Sequence, residues 1–432
     1  MRTLIRALML LAGLALLALA ALFWLGAREP RDTAAPGPAT GAPPDTQARI
    51  EQGRYLAALG NCMACHTAPG GTPYAGGRGI PTPFGEFFGP NLTPDPEYGI
   101  GQWSADDFWR ALRHGKRPDG SLLYPAFPYT SYRHVSREDA DALYAYLQSL
   151  PAARQPSAAH RLAFPYDQRP LIALWRALYF NPSAGMPPGD AAQQADPQWL
   201  RGRYLVQGLA HCAECHTARN RLGAMHEDAR LQGGIIPAQN WYAPPLTGDL
   251  ATGLGNWSEQ DIAELLRSGI SRHGFASGPM AESVHNGLQY ASPEDARAMA
   301  RYLKSLPAAG LDARPRGPAP LAGVMEQGAR LYTQYCAQCH QDDGRGVAQA
   351  WPPLAGNLTV TAAEPVNAIR LVLSGGFAPS TALQPQPHGM PPFAHVLTDA
   401  DIAAVVTYIR NSWGNQAGAV TLPQVRRVRN ER

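Results

Sequence analysis

The sequence has little charge and no strong excess of either sign. Charged residues make up 16% of the 432 residues, and the formal net charge at pH 7 is only +3. Proteins that bind nucleic acids normally carry a concentrated basic surface, so this composition gives no support for a nucleic-acid partner. The 43 glycines and 41 prolines indicate a globular chain rich in loops, and its length allows about two to four domains.

The common sequence fingerprints of substrate chemistry are also missing. There is no G-x-S-x-G nucleophile motif, no glycine-rich dinucleotide fingerprint after a predicted strand, and no convincing pair of catalytic carboxylates. The chain therefore shows no evident apparatus for converting an organic substrate by itself.

Cysteine is scarce, and its placement is the main signal in the sequence. The six cysteines all lie in three copies of the pattern C-x-x-C-H, in which Cys62 and Cys65 precede His66, Cys212 and Cys215 precede His216, and Cys336 and Cys339 precede His340. This is the attachment signal of haem c, in which two thiols add to the haem vinyl groups and the histidine ligates iron. A lone C-x-x-C would also suit a redox dithiol or a zinc site. Three complete copies predict three covalently bound haem c groups.

Only the N-terminus carries a long apolar run. Arg2 and Arg6 precede 21 uncharged residues, 7–27, which would span about 31 Å as a helix, close to the ~30 Å bilayer core. We predict an uncleaved membrane anchor that leaves the arginines in the cytoplasm and exports the rest. The alternative is a cleaved signal, but its small-x-small pattern, Ala18-Leu19-Ala20, lies inside the run.

This topology predicts a chain at the periplasmic face of a bacterial inner membrane. Covalent haem c assembly in bacteria also occurs outside the cytoplasm, which agrees with export. Because the six cysteines are all committed to haem, we expect no disulfides despite the oxidising compartment.

Three similar units organise the rest of the chain, and each should open and close with a helix. Glycine and tyrosine mark the opening helices, as in Gly53-Arg54-Tyr55-Leu56 and Gly202-Arg203-Tyr204-Leu205, and we expect both residue types to serve helix packing. The closing helices have N-caps at Ser136, Ser292 and Thr398, each with an acidic residue three positions on. Middle helices should be capped by Ser104, Ser258 and Thr361.

These signals predict a mainly α-helical fold with three tandem cytochrome c domains. The predicted boundaries are an anchor or signal at 1–27, a Pro/Ala/Gly tether at 28–48, domains at 49–152, 196–308 and 319–418, and a basic, solvated tail at 419–432. Residues 153–195 carry much apolar surface, for which we expect packing between domains, with a partner or membrane surface as the alternative.

The second axial ligand of each haem iron should come from a loop just before the closing helix. Domain 2 offers Met280, 64 residues after His216, and domain 3 offers Met390, 50 residues after His340. Both lie in Gly/Pro-rich loops, where a methionine of the core would be unusual, and methionine ligation raises the haem potential.

Domain 1 departs from this pattern because Phe127 occupies the corresponding position, 61 residues after His66. Its haem would either lack a sixth protein ligand or take one from His114, His134 or Lys116. We expect this haem to differ electronically from the other two.

The combined motifs resemble a known family, the triheme cytochrome c subunits of bacterial membrane-bound dehydrogenases. The resemblance covers nearly everything from 49 to 415 and includes Trp103-Ser104, Trp257-Ser258, Gly278-Pro279-Met280, Met390-Pro391-Pro392-Phe393 and Tyr408-Ile409-Arg410-Asn411-Ser412-Trp413. It implies a subunit that takes electrons from a dehydrogenase catalytic subunit and passes them to ubiquinone or to another cytochrome or oxidase.

Phe127 bears on which dehydrogenase this resemblance indicates. The alcohol dehydrogenase type has methionine in this loop, whereas the phenylalanine version resembles the cytochromes of molybdenum-cofactor aldehyde or N-heterocycle dehydrogenases. A quinoprotein, flavoprotein or molybdenum partner therefore remains open. The competing function is a haem enzyme, such as a peroxidase, acting at an open haem in domain 1 with His114 or His134 as acid/base.

Overall fold

The computed structural model describes residues 1–28, 46–313 and 317–431. The fold is mainly α-helical with three helical domains, as the sequence predicts. The chain begins with α1 (Arg2–Ala27), which is the one helix among the described residues that is long and apolar enough to cross a bilayer. The predicted tether, 28–48, lies almost entirely outside the described residues.

Domain 1 surrounds the first C-x-x-C-H motif with helices and one β-hairpin. Its elements are α2 (Thr46–Leu59), α3 (Cys62–His66), β1 (Gly79–Thr82), β2 (Gly85–Phe88), α4 (Ala105–His114), α5 (Tyr129–Tyr132) and α6 (Arg137–Gln148). A connecting segment at 153–195 follows, with β3 (Arg161–Leu162), α7 (Ile172–Tyr179) and α8 (Ala191–Gln194). The β1 and β2 strands are antiparallel, and β3 pairs with β2, so this segment extends the sheet of domain 1.

Domain 2 repeats the same order of helices. Its elements are α9 (Pro197–Tyr204) with a π-helical continuation at Leu205–Leu209, α10 (Ala213–His216), β4 (Gly234–Ile236), β5 (Trp241–Ala243), α11 (Glu259–Ser268), β6 (Ile270–Ser271), β7 (Gly274–Phe275), α12 (Pro279–Asn286) and α13 (Pro293–Lys304). The β4–β5 and β6–β7 pairs are short antiparallel hairpins. Domains 1 and 2 share one continuous hydrophobic core.

Domain 3 has its own core and a shorter set of elements. These are α14 (Ala322–Tyr335), α15 (Ala337–His340), α16 (Leu358–Thr361), α17 (Val366–Ser374), β8 (Gly376–Phe377), β9 (Gly389–Met390), α18 (Asp399–Arg410) and α19 (Leu422–Asn430). Short 3-10 turns elsewhere in the described chain lie at Arg169–Leu171, Glu227–Ala229, Leu288–Tyr290 and Leu311–Ala313.

The structure corrects two expectations for domain 3. Thr361 does not cap the middle helix: it ends α16, whose N-cap is Asn357, while α17 starts after Pro365. The tail after 419 is not a solvated end either, because it forms α19 and buries Val425 and Val428 in the core of domain 3. These two valines are three residues apart and so share one face of the helix, which the surrounding arginines obscured in the sequence.

The opening and closing helices of each domain cross at the predicted glycine. A Cβ added at Gly53, Gly202 or Gly328 would lie 1.9, 1.9 or 2.4 Å from a backbone oxygen of the closing helix. The crossing therefore requires a residue without a side chain, which confirms the packing role expected from the sequence. This close approach fixes the start of each C-x-x-C-H turn relative to the closing helix.

We predict that Gly328→Ala destabilises domain 3 by about 1–3 kcal/mol, because the added methyl group overlaps the Ala404 carbonyl. Gly323 lies in the same helix with open space around its Cβ position, so Gly323→Ala should be neutral or stabilising by up to ~1 kcal/mol. Hydrogen exchange of the α14 and α18 amides measures both effects. Equal protection in the two variants would contradict the close helix crossing.

Candidate haem-binding sites

Each C-x-x-C-H motif forms a short helical turn directly after the opening helix. The turns are α3 in domain 1, α10 in domain 2 and α15 in domain 3, and Cys336 lies between α14 and α15. On a helix, residues three apart lie on the same face, so the two cysteines of each motif can reach one macrocycle. All six cysteines are free of disulfides, and their thiols are therefore available for thioether bonds.

The three motif histidines are held in the same way. His66 Nδ1 lies 2.8 Å from the Pro90 carbonyl, His216 Nδ1 lies 2.7 Å from that of Pro244, and His340 Nδ1 lies 3.0 Å from that of Pro352. A carbonyl only accepts, so Nδ1 carries the proton and Nε2 keeps its lone pair for iron. Burial lowers the pKa of each histidine, which favours this neutral form.

These observations fit haem c better than a directly bound metal ion. Within the described residues, no group of three or more His, Cys, Asp and Glu side chains is arranged to hold an ion. Each motif instead offers two thiols and one oriented imidazole, which is the donor set of a covalently attached haem.

The two predicted methionines lie on rigid elements against the core of their own domains. Met280 is the second residue of α12, after Gly278 (φ 54°) and with Pro279 at the first helical position. Met390 lies in β9, paired with Gly376 of β8. Both are half-buried and pack against the core clusters that contain their opening helices.

Domain 1 places Phe127 next to its own C-x-x-C-H turn. The ring of Phe127 lies 5.4 Å from that of Tyr132, and the Tyr132 hydroxyl donates to the Gly60 carbonyl at 3.3 Å. Burial, followed by the nearby Cys62 and Cys65, raises the pKa of Tyr132 well above its ordinary value. Phe127 is thus linked to the first motif through Tyr132.

The predicted alternatives to methionine in domain 1 occupy different environments. His134 Nε2 lies 3.2 Å from Arg133 Nε and accepts its hydrogen bond, and its backbone packs on Gly208 of domain 2. Burial, with four surrounding arginines, lowers the pKa of His134 to about 3. The hydrogen bond from Arg133 occupies the lone pair of His134 Nε2, which disfavours ligation through that atom, and the low pKa disfavours His134 as an acid/base. His114 and Lys116 are buried at the end of α4.

Domains 1 and 2 exchange a matched pair of tyrosine contacts. The Tyr55 hydroxyl donates to Asp295 Oδ2 at 2.7 Å and accepts from the Ser292 N–H at 3.1 Å. The Tyr204 hydroxyl donates to Asp139 Oδ2 at 2.5 Å and accepts from the Ser136 N–H at 3.2 Å.

Each tyrosine hydroxyl thus bonds to the N-cap N–H of the other domain's closing helix and to the carboxylate three positions further on. In a normal capping box the acidic residue itself would accept from the N-cap N–H, as Asp401 does from Thr398 in domain 3. Burial raises the pKa of Tyr55 and Tyr204, so both hydroxyls stay protonated and donate. The contact sets the two domains in a reciprocal arrangement.

We predict that Tyr204→Phe weakens the contact between domains 1 and 2 by about 1–3 kcal/mol, because Asp139 and the Ser136 N–H both lose a partner. Tyr55→Phe should behave alike. Tyr290→Phe, at a tyrosine that is 58% exposed, is the control and should change stability little. A double-mutant cycle of Tyr204→Phe with Asp139→Asn measures the coupling energy between these two side chains. Additive changes in the free energy of unfolding would refute the predicted contribution of this contact.

Glu214 is a site residue that the sequence analysis missed. It lies inside the C-A-E-C-H motif of domain 2, pairs with Arg219 at 2.5 Å and accepts from Thr130 and Ser131 of domain 1 at 3.0 and 2.8 Å. Burial alone would raise the pKa of Glu214, but Arg219 with the Ser131 hydroxyl lowers it. A charged residue between the two cysteines was the available signal, since the other copies carry alanine or glutamine there.

A second ion pair joins the other side of this contact. Arg78 of domain 1 lies 3.0 Å from Glu282 of α12, two residues after Met280. Burial raises the pKa of the Cys65 thiol, Arg78 lowers it and Glu282 raises it, so this pair lies close to the first motif. The helix of domain 2 that carries Met280 therefore packs beside the C-x-x-C-H turn of domain 1.

Domain 2 also contacts domain 3. The Asn367 side chain accepts from the Tyr242 N–H at 2.8 Å and donates to the Tyr242 carbonyl at 2.7 Å. His285 Nδ1 in α12 lies 2.6 Å from the Ser380 carbonyl. The helix that carries Met280 thus touches both neighbouring domains.

Three helical domains with a C-x-x-C-H turn and a carbonyl-bound histidine define the class of c-type cytochromes. The family model for cytochrome c matches this chain three times, at 50–151, 200–307 and 325–413. The chain belongs to the cytochrome c family.

Several relatives are similar over most of this chain. It is 41% identical over 399 residues to the cytochrome c subunit of alcohol dehydrogenase (quinone) from Gluconobacter oxydans, covering 89% of this chain and 82% of that protein. It is 39% identical to the gluconate 2-dehydrogenase cytochrome c subunit from Pantoea cypripedii (89% and 90% covered). It is 40% identical to a subunit of nicotinate dehydrogenase from Pseudomonas putida (84% and 30% covered).

Among solved structures, a thiosulfate dehydrogenase from Marichromatium purpuratum aligns at 18% identity over 87% of this chain and 72% of that one, with a TM-score of 0.18. That score is too low to support any comparison of architecture.

Proposed function

We propose that this chain is a triheme electron-transfer subunit of a membrane-bound dehydrogenase complex. The observation that carries the proposal is that domain 2 packs against domain 1 through Glu214 and α12, with α12 beside the first haem motif, and also contacts domain 3. The names of the relatives, which are cytochrome subunits of dehydrogenases, support the same function.

The residues of each domain have separate roles in holding haem c. The cysteine pairs Cys62/Cys65, Cys212/Cys215 and Cys336/Cys339 would tether it, and His66, His216 and His340 would each supply one nitrogen ligand to its iron. Met280 and Met390 would supply a second ligand in domains 2 and 3. Haem c, when bound, supplies reversible one-electron chemistry at iron. The proline carbonyls fix the imidazole planes, and the hydrophobic cores exclude water.

The packing of the domains supports a linear path with domain 2 in the middle. Both α10 and α12 of domain 2 contact domain 1, and α12 and β5 contact domain 3. Electrons entering at one terminal domain would therefore cross domain 2 before reaching the other.

The partners follow from this role. A dehydrogenase catalytic subunit would deliver electrons, and ubiquinone or another cytochrome or oxidase would accept them. The helix α1 would anchor the chain in the bacterial inner membrane, with the three domains on the periplasmic face. The relatives do not separate these partners, since the chain is 41% identical to the alcohol dehydrogenase (quinone) subunit and 40% identical to the nicotinate dehydrogenase subunit. Phe127 alone favours a dehydrogenase acting on an N-heterocycle or aldehyde over a quinoprotein alcohol dehydrogenase.

The peroxidase alternative gains no support. His134, one of its two candidate acid/base residues, accepts a hydrogen bond from Arg133 and packs against domain 2. The relatives are named as subunits of dehydrogenases.

The proposal is tested by purifying the tagged, full-length chain from its native membranes in mild detergent. A dehydrogenase catalytic subunit should co-purify, its substrate should reduce the haem of the complex, and a water-soluble quinone should reoxidise it. Peroxide turnover by the isolated chain, or substrate oxidation that leaves the haem oxidised, would contradict the proposal.

A further inference from the structure

The helix α7 in the connecting segment has an inverted polarity. Its only charged residue, Arg176, is 2% exposed, whereas Leu171 just before it, Leu178 and Tyr179 are 44%, 58% and 36% exposed. A helix on an aqueous surface places its charges outward and its apolar stripe inward. This helix instead presents an apolar face to its surroundings.

Arg176 is turned inward because it joins α1 to domain 1. Its Nε donates to the Gly26 carbonyl at 2.9 Å, and its Nη1 donates to the His114 carbonyl at 2.5 Å. Its guanidinium also lies over the rings of Tyr129 and Phe180, 5.5 and 4.7 Å from their centres. These contacts compensate the buried charge and leave α7 with no charged group facing outward.

The contact of α7 with α1 sets the depth that α7 would have in a bilayer crossed by α1. A Cβ added at Gly26 would lie 1.7 Å from the Ala173 carbonyl oxygen, so α7 crosses the last turn of α1 in direct backbone contact. The apolar run of α1 matches the thickness of a bilayer core, which places its last turn at the outer boundary of the hydrocarbon. A helix lying against that turn shares its depth.

Further exposed apolar and aromatic residues lie in the segment just before α7, together with the exposed Asp167, and at Leu222, which α7 contacts. Phe164 and Tyr166 are 81% and 40% exposed, and Tyr166 packs on Phe84. Trp175 Nε1 donates to the carbonyl of Leu222, which is 46% exposed. Tryptophan and tyrosine are enriched where proteins meet the membrane interface, because their rings are apolar and their tips are polar.

We propose that the α7 surface, formed by Phe164, Tyr166, Leu171, Leu178, Tyr179 and Leu222, lies in the outer leaflet of the lipid bilayer beside α1. This inference rests on the proposed anchoring by α1, whose end it continues. An apolar helix lying in the interface plane binds in proportion to its buried apolar area. The α7 surface would therefore hold domains 1 and 2 at a fixed tilt against the membrane.

The test uses the full-length, haem-loaded chain in vesicles of phosphatidylethanolamine and phosphatidylglycerol that carry a diazirine on one acyl chain. After illumination, mass spectrometry locates the lipid adducts. We expect adducts on peptides from α1 and from α7, several-fold above those on the domain 3 peptide that contains Val396. Leu178→Glu should reduce the α7 adducts several-fold and leave those of α1 unchanged. Val396→Glu is the matched control, since Val396 and Leu178 are equally exposed at 58%.

The outcomes separate this inference from the anchoring on which it rests. Adducts on α1 but not on α7 would overturn the lipid-facing surface and leave the anchor intact. Adducts on neither would overturn both. If α7 loses its lipid adducts in the complex with its dehydrogenase while α1 keeps them, the surface is a protein interface and the inference is wrong.

Discussion

Replacing Met390 with leucine is expected to lower the reduction potential of the domain 3 haem and to remove the weak long-wavelength absorption band of methionine-ligated ferric haem c. Methionine ligation stabilises the reduced iron, and axial ligands control potentials over a range of about 0.8 V. Leucine keeps the volume and apolarity of the side chain but offers no donor atom. Met280→Leu should have the same effect on the domain 2 haem, and potentiometric titration measures both.

Each substitution has a control methionine in the same domain. Met299 is buried in α13 at 1% exposure, and Met325 lies in α14, before the haem motif of domain 3. Met299→Leu and Met325→Leu should leave every potential unchanged and keep the band. If Met280→Leu or Met390→Leu behaves like its control, that methionine is not the ligand.

Phe127→Met is expected to raise the potential of the domain 1 haem and to add a methionine-ligand band to the spectrum. The substitution introduces the residue type that domains 2 and 3 carry at the corresponding sequence position, and Phe127 already packs on Tyr132, whose hydroxyl bonds to Gly60 just before the first motif. The expected rise is a sizeable part of the ~0.8 V range set by axial ligands. Magnetic circular dichroism of the ferric protein identifies the new ligand.

Phe127→Leu separates ligation from packing, since it removes the ring without adding sulfur. It should leave the ligand set of domain 1 as it is in the native chain. A native spectrum in the Phe127→Met variant would mean that another residue, with His114 and Lys116 as the buried candidates, already occupies the sixth position and that methionine does not displace it.

The parts of the fold that were predictable from the sequence depend on short-range patterns. The three haem-binding turns, the N-caps at Ser136, Ser292 and Thr398, and the caps at Ser104 and Ser258 each need only a few neighbouring residues. Proline follows each motif as well, but the prolines that contact the histidines lie 24, 28 and 12 residues from them. The carbonyl contact to each histidine, however, became visible only in the structure.

What could not be predicted consists of contacts between distant residues. Tyr55 and Asp295 are separated by 240 positions, and Glu214 and Ser131 by 83. Sequence patterns identified Tyr55 as a packing residue, and only the relative placement of the domains shows which helix it caps. The inward direction of Arg176 depends in the same way on α1, whose Gly26 lies 150 positions earlier.

Domains 1 and 2 form a closer pair than either forms with domain 3. They share one hydrophobic core, two reciprocal tyrosine contacts and the ion pair of Arg78 with Glu282. The Gly-Arg-Tyr sequence of their opening helices supplies these tyrosines, and domain 3 has Arg330 at the corresponding position. The opening helix of domain 3 therefore has no tyrosine at the position that makes these contacts.

The proposed function depends on three one-electron centres in one chain, of which two have methionine ligands and one does not. Potentiometric titration of the full-length, haem-loaded protein, followed by optical and electron paramagnetic resonance spectra, resolves the three centres. We expect three one-electron transitions per chain, with two centres showing methionine-ligated spectra and the third, in domain 1, showing a different ligand set. Fewer than three transitions, or three centres with identical methionine-ligated spectra, would be incompatible with this assignment.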